Sequence, residues 1–183
     1  GLAVTTGTAT LQGGNVIVAG DIVISPGATL AGAAGVLAFT GDLVVDGAAT
    51  LAAPAILSCG SAGEPVNITP TIGGTGLSTS TLGRLVVVEG VTCTPLVAIA
   101  IAGLKIGPGA TFDPVDATVV VTGDIEIDPT ATVQVQTLQA EGGVLRGTLP
   151  GATFLTSTIV RNFILDKSGP TLVVKGVRIE RDG

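Results

Sequence analysis

The sequence contains no Trp, Tyr, Met or His, and its aromatic residues are limited to four Phe. The absence of His excludes the Ser-His and Cys-His pairs on which many nucleophilic hydrolases depend. Charged residues make up 12% of the chain, which is about half the usual share. A core must therefore be assembled from Val, Ile, Leu and Ala, and small or β-branched residues of this kind suit layered sheets.

Long apolar runs are also absent. No uninterrupted stretch approaches the roughly 18 apolar residues that identify a transmembrane helix, so none is predicted. The chain begins Gly1-Leu2-Ala3 rather than with Met, which favours a cleaved signal peptide and a secreted or cell-surface protein over removal of a single Met or an expression leader. The net charge of −6 argues against nucleic acid and anionic membranes as partners.

One motif occurs twice in the chain. The stretch 40–51 reads TGDLVVDGAATL and the stretch 122–133 reads TGDIEIDPTATV, so the offset in numbering is 122 − 40 = 82. A shorter spacing lies inside each repeat unit of about 80 residues: in the first, the stretch 21–24 (DIVI) is answered by 42–45 (DLVV), and 42 − 21 = 21. The shared template is Gly-x-Φ-x-Φ-x-Pro/Gly-x-Ala-Thr-Φ, where Φ is aliphatic. Periods of about 20–50 residues indicate stacked architectures.

The local pattern decides which stacked architecture is expected. Apolar residues alternate with a period of two, and Gly or Pro ends each short run. The sequence therefore predicts an all-β fold, a parallel β-helix with rungs of about 20 residues. We expect one solenoid domain over residues 1–183, with repeats at about 1–82 and 83–160 and a partial third at 161–183. The offset between the two motif copies is interpreted as about four rungs. Residues 61–83, rich in Gly, Ser, Thr and Pro, are expected to form a loop or flap.

Recurring aspartates are the only candidate metal ligands in the sequence. Asp21, Asp42, Asp124 and Asp128 occupy related corner positions of the template, and Ca²⁺ prefers several carboxylate oxygens. The alternative, which we favour, is that these side chains cap turns and add solubility. The sequence lacks the Gly-Gly-x-Gly-x-Asp repeat of calcium-binding β-helices. No cofactor is predicted.

The two cysteines, Cys59 and Cys93, are 34 positions apart. In an oxidising compartment they can pair, whereas in the cytosol they are expected to be buried thiols. We predict a disulfide that pins the irregular segment 61–83.

The ends of the predicted solenoid expose strand edges, which soluble monomers usually cover with polar or helical caps. Neither terminal segment reads as a cap, since both are apolar. We therefore expect head-to-tail association with further copies of the chain; the alternative is that the terminal strands form a last rung or a lid. The candidate interface residues are Leu2, Val4, Leu172, Val174, Val177 and Ile179.

The repeated rungs, over about residues 20–60 and 103–142, resemble the parallel β-helix surface proteins of bacteria and archaea and, less closely, the polymer-forming bactofilins. The resemblance implies adhesion or surface-layer roles in the first case and self-polymerisation in the second. Our first hypothesis is a structural, non-enzymatic subunit of an extracellular filament or sheath. The alternative is an adhesin or carbohydrate-binding module with a surface polysaccharide as partner. A polysaccharide-active enzyme ranks last, and it requires a carboxylate pair beside Arg84, Arg146 or Arg161.

Overall fold

The structure is a computed structural model of the whole chain. It describes residues 1–12, 14–32, 35–48, 50–52, 56–62, 67–79, 81–115, 117–134, 137–141, 144–147, 158–161, 164–166 and 177–180. The described strands pair in parallel throughout and stack into three walls around one core. The predicted parallel β-helix is therefore confirmed.

The first wall is a single ladder of stacked strands. Its strands, in stacking order, are β1 (Leu2–Val4), β4 (Ile22–Ile24), β7 (Leu43–Val45), β10 (Thr71–Gly73), β12 (Thr92–Pro95), β14 (Thr111–Phe112) and β17 (Thr132–Val133). The second wall lies between the first and third walls along the chain. It consists of β2 (Thr8–Leu11), β5 (Thr29–Gly32) and β8 (Thr50–Ala52).

The third wall begins as one ladder and then branches. Its unbranched part is β3 (Asn15–Val18), β6 (Val36–Phe39), β9 (Ile56–Cys59), β11 (Thr81–Val87) and β13 (Ile99–Ile106). Residues 99–101 of β13 pair with β15, and residues 104–106 pair with β16. One branch contains β15 (Thr118–Val121), β18 (Thr137–Glu141), β20 (Thr158–Arg161) and β22 (Val177–Glu180). The other contains β16 (Ile125–Ile127), β19 (Val144–Gly147) and β21 (Ile164–Asp166).

The core follows from the alternation of apolar residues along each strand. In β4 and β7 the first and third residues point inward and are fully buried, while the middle Val is only partly buried. Phe39 and Phe112, the largest core side chains, have no exposed surface. Because each rung buries only a thin aliphatic layer, the core is complete only where rungs stack on both sides.

The Ala-Thr-Φ part of the template is explained by a tight turn at a corner. The amide of Ala28 donates to the Ser25 carbonyl at 3.0 Å, and Ala110 donates to Gly107 at 3.2 Å in the same way. Gly27 and Gly109, at the third position of these turns, have φ of 77° and 61°, which L-residues other than Gly rarely adopt. Both alanines are buried. The small side chain is therefore needed because it points into the core at the bend.

The spacing between successive rungs is nearly constant where the stack is regular. Leu2 lies beside Ile22, and Ile22 lies beside Leu43, so the steps in numbering are 22 − 2 = 20 and 43 − 22 = 21. From Leu43 to Ile72 the step lengthens to 72 − 43 = 29, which locates the predicted irregular segment in the structure. Its described part is more than a loop, because β10 joins the first wall and Leu77, in a 3₁₀ turn over Thr75–Thr79, is buried. This part is built into the wall rather than projecting from it.

The two copies of the long motif do not occupy equivalent places. Leu43, in the first copy, lies in the first wall, whereas Ile125, its counterpart in the second copy, lies in the third wall beside Leu104. The offset between the copies is therefore a little less than four rungs, because β17 lies four steps beyond β7 in the first wall and β16 directly precedes β17 along the chain. The longer step between Leu43 and Ile72 is the reason, because it shifts the motif relative to the corners.

Candidate functional site

The aspartates that open the first-wall strands bond to backbone in the following rung. Asp21 Oδ1 accepts a hydrogen bond from the amide of Asp42 at 2.9 Å, and Asp42 Oδ1 accepts one from the amide of Thr71 at 3.0 Å. Asp124 opens β16 in the third wall, and its carbonyl accepts from the amide of Leu104 at 2.9 Å. Asp21 and Asp42 thus tie adjacent rungs together at a corner, which is a structural use of the carboxylates.

Asp128 serves a single turn. Its Oδ1 accepts hydrogen bonds from the Thr130 hydroxyl at 2.7 Å and the Thr130 amide at 2.9 Å. These bonds lower the pKa of Asp128 from its usual value. Within the described part of the chain, no three Asp, Glu, Cys or His side chains come close enough together to hold a metal ion.

Cys59 and Cys93 form a disulfide, with their Cα atoms 6.1 Å apart. Cys59 ends β9 in the third wall and Cys93 lies in β12 of the first wall, and both are fully buried. The bond crosses the core between two strands that are not hydrogen-bonded neighbours. It closes the stretch of chain 59–93, which includes Ile72, where the long step from Leu43 ends.

The inward side chains of the first rung, formed by β1, β2 and β3, are less completely buried than those of the rung stacked on it. Leu2 and Val16 are only partly buried, whereas their neighbours in the stack, Ile22 and Leu37, are 0% and 1% exposed. Ala9 is also partly buried. The described residues place no strand on the outer side of β1, β2 or β3. The inward-facing side chains of this rung therefore form an exposed end of the core.

At the other end, the predicted interface residues are only partly described. Val177 and Ile179 lie in β22, opposite Thr158 and Val160 of β20. Leu172 and Val174 lie outside the described residues. Val4, in the first rung, is 5% exposed and belongs to the core.

A groove of about 470 Å³ lies on the outer face of the third wall. Its floor contains the small residues Ala38 and Ser58, which are neighbours in adjacent rungs and only 4% and 6% exposed. The Ser58 hydroxyl donates to the Gly60 carbonyl at 2.9 Å, so the floor presents little free hydrogen-bonding capacity. We call this surface the outer groove, and its principal lining residues are Ile17, Ala38, Ser58, Ser61, Val86 and Lys105.

Charged residues stand at one end of the outer groove. Arg84 Nη2 lies 2.9 Å from Glu126 Oε2, and Lys105 Nζ lies 3.5 Å from the same oxygen. Arg84 Nε is buried and has no hydrogen-bonding partner among the described residues. A Cβ on Gly103 would lie 3.4 Å from Arg84 Cγ, so the bare backbone at Gly103 makes room for the arginine stem.

The pKa of Glu126 reflects this arrangement. Burial opposes ionisation of the carboxylate, but the hydrogen bond from Arg84 and the positive charges of Arg84 and Lys105 outweigh it and lower the pKa of Glu126. Two cations share one carboxylate, which leaves the cluster with a net positive charge.

The sequence reasoning named Arg84 but missed its partners. The difference in numbering, 126 − 105 = 21, equals one regular rung and places Lys105 beside Glu126 in neighbouring strands; this period was the signal that could have found the pair. Arg84 has one carboxylate beside it in the described structure, not the pair that glycoside hydrolysis commonly uses. The side chains of Arg146 and Arg161 lie outside the described part of the structure.

The described residues contain no helix with the length and hydropathy of a membrane span. Comparison of the chain with protein-family models, curated proteins and solved structures found no match.

Proposed function

We propose that the protein is a structural subunit that associates end to end with further copies of itself, as part of an extracellular filament or sheath. The observation that carries the proposal is the incomplete core of the first rung, where Leu2 and Val16 point inward but remain partly exposed. Covering such side chains with another rung removes apolar surface from water, at about 25 cal/mol per Å² buried.

Backbone hydrogen bonding also supports assembly at the first rung. The amide of Leu2 donates to the Asp21 carbonyl at 2.7 Å, and the Val4 carbonyl accepts from the Ser25 amide at 2.9 Å. Residues of a parallel strand alternate in the side to which they direct their N–H and C=O groups. Ala3 therefore directs both groups away from β4, where a strand of another copy can pair with them.

Other features fit an extracellular, durable material. The buried Cys59–Cys93 disulfide suits an oxidising compartment. The chain has no Met, Trp, Tyr or His, which removes several side chains that oxidise readily. These features support the proposed location, while the exposed rung supports the proposed assembly.

The competing hypotheses have less support in the described residues. Carbohydrate modules commonly present an aromatic surface to a sugar ring, but Phe39 and Phe112 are fully buried. A polysaccharide-active enzyme would need a second carboxylate beside Glu126. We therefore rank the adhesin or carbohydrate-binding module second and the enzyme third.

Electron microscopy and sedimentation of the purified 183-residue chain test the proposal. We expect uniform fibres or a concentration-dependent ladder of oligomers. Leu2→Lys should suppress them, because it places a charge in an apolar joint. Thr6→Lys is the matched control, since it adds the same charge at an exposed residue of the same rung and should leave assembly intact.

A second variant isolates the backbone contribution. Ala3→Pro removes the outward N–H and should weaken assembly, whereas Ala3→Val keeps the N–H and should not. The proposal is wrong if the chain stays monomeric at its solubility limit, or if Leu2→Lys and Thr6→Lys assemble equally well.

A further inference from the structure

The outer groove crosses the rungs instead of following a strand. The register places Ile17 beside Ala38, Ala38 beside Ser58, and Ser58 beside Val86, with Lys105 next in the column. From β3 to β13 this column spans four strand spacings, or about 19 Å. The groove is thus a narrow apolar path that ends at a positively charged group.

The apolar part of the path is exposed at its far end. Ile17 faces outward from β3 and is 60% exposed. Val36 and Ile56 flank the small floor residues Ala38 and Ser58 on the outer face. A trough with small residues along the middle and larger aliphatic residues beside them fits a flexible hydrocarbon chain.

The charged end specifies the head group. Arg84 and Lys105 share a single carboxylate, and Arg84 Nε has no hydrogen-bonding partner in the described structure. A second carboxylate at this place would neutralise the remaining positive charge and accept a hydrogen bond from Lys105, whose side chain is 51% exposed. This attraction for an anion is confined to the Arg84–Lys105 cluster, since the chain as a whole carries a net charge of −6.

Other occupants fit less well. The central strands β6, β9 and β11 are paired on both sides, so this face offers no free backbone edge to an extended peptide. No aromatic side chain lines the groove, so a sugar ring has no stacking surface among the described residues.

We propose that the outer groove binds a long-chain carboxylate, a single-chain anionic amphiphile, with its hydrocarbon chain along the Ile17–Ala38–Ser58–Val86 column and its carboxylate at Arg84 and Lys105. This inference concerns the outer face of the third wall and is independent of the end-to-end assembly. Glu126 then acts as an internal competitor for the two cations.

Isothermal titration calorimetry with laurate, kept below its micelle concentration, tests the proposal. We expect saturable binding at one site, with much weaker binding of a cationic surfactant of the same chain length. Arg84→Met combined with Lys105→Met should reduce laurate affinity about tenfold or more, the usual effect of losing charge-assisted hydrogen bonds. Gln134→Glu is the control, because it changes the net charge at an exposed residue outside the groove.

Two further variants separate the site from general stability. Glu126→Gln removes the competing carboxylate and should tighten laurate binding several-fold, whereas a merely structural role for Glu126 would weaken binding. Ala38→Leu fills the trough and should abolish binding; if this variant does not fold, Ile17→Ser, at an exposed residue, should weaken binding measurably.

The proposal is overturned if laurate shows no saturable binding or if the cationic surfactant binds as tightly. It is also overturned if the Arg84→Met/Lys105→Met variant binds laurate with the affinity of the unmodified protein.

Discussion

The two copies of the long motif share six of their twelve residues and have different surroundings. In residues 40–51, β7 lies in the first wall and leads to the second wall; in residues 122–133, β16 lies in the third wall and leads to the first. Equivalent core positions are nevertheless buried in both, as Leu43 and Ile125 show. The motif therefore specifies a strand, a corner and the next strand, and it works at more than one corner.

The length of each rung decides which corner a copy occupies. The step in numbering from Leu43 to Ile72 is 72 − 43 = 29, whereas the step from Ile22 to Leu43 is 43 − 22 = 21. The extra length changes the wall on which each later stretch of sequence falls, so the second motif copy begins in the third wall instead of the first. A solenoid can accept such a shift because each corner makes the same kind of bend between two short strands.

The largest expected effect comes from removing the disulfide, which closes the stretch 59–93 where the longer step ends. Cys59→Ala with Cys93→Ala should lower the free energy of unfolding by about 4 kcal/mol, because the bond closes a loop with a sequence separation of 34 residues. Urea denaturation measures the change. A reducing agent should destabilise the unmodified protein and leave the double variant unaffected. A loss below about 1 kcal/mol would contradict this account of the disulfide.

In both motif copies a glycine lies against the backbone of the neighbouring rung, and we expect the two glycines to contribute equally to stability. A Cβ on Gly41 would collide with the backbone of Gly20 and Asp21, and one on Gly123 with the carbonyl oxygen of Ala102. We expect Gly41→Ala and Gly123→Ala each to lower the free energy of unfolding by about 2–3 kcal/mol, the upper part of the range for overpacked sites, because the contacts are with backbone atoms.

Thermal and urea unfolding measure both effects. Gly14→Ala is the matched control, since its Cβ would meet nothing within 4 Å, and it should be nearly neutral. A large cost at only one of the two copies would show that the corners are not interchangeable.

A smaller cost is expected at the turn glycines. Gly27 and Gly109 have positive φ, and a Cβ at either would meet nothing within 4 Å. Gly27→Ala and Gly109→Ala should each cost about 1–2 kcal/mol, from backbone conformation alone. Gly27→Asn should recover part of the loss, because Asn tolerates this conformation better. If urea denaturation shows Gly27→Asn to be less stable than Gly27→Ala, backbone conformation is not the cause of the loss.

The smallest effect concerns a residue that differs between the copies, since Val44 in the first corresponds to Glu126 in the second. Glu126→Gln should cost at most about 1 kcal/mol at neutral pH, because the salt bridges are partly exposed. The lowered pKa of Glu126 means that its contribution is present above the ordinary value of 4.5 and is lost as pH falls through the folded-state pKa.

Urea denaturation at several pH values measures this contribution. The difference in unfolding free energy between the unmodified protein and Glu126→Gln should shrink on acidification. A difference that grows at low pH would show that the pKa of Glu126 is not lowered in the folded state.

The fold was predictable because its signals are local. Alternating residues such as Ile22 and Ile24 identify strands, and Pro26-Gly27 identifies a corner, without knowledge of any distant contact. The stacking of distant residues depends on the length of every intervening rung. One longer step, between Leu43 and Ile72, was enough to place the second motif copy at a different corner from the first.

The sites likewise divide into those with a local sequence signal and those that depend on the length of the rungs. Cys59 and Cys93 could be paired because the chain has two cysteines. The cluster of Arg84, Lys105 and Glu126 depends on two unequal steps in numbering, 103 − 84 = 19 from Arg84 to Gly103 and 126 − 105 = 21 from Lys105 to Glu126. The outer groove depends in addition on Ala38 and Ser58 being neighbours across rungs, which a pattern of single strands does not reveal.

The disulfide also has a mechanical consequence. When the solenoid is pulled from its ends, rungs can peel away singly from either side, but the segment between Cys59 and Cys93 cannot lengthen while the bond is intact. A separation of 34 residues corresponds to about 110 Å of extended chain. This length should be missing from a single-molecule stretching trace and should reappear when the tether is reduced.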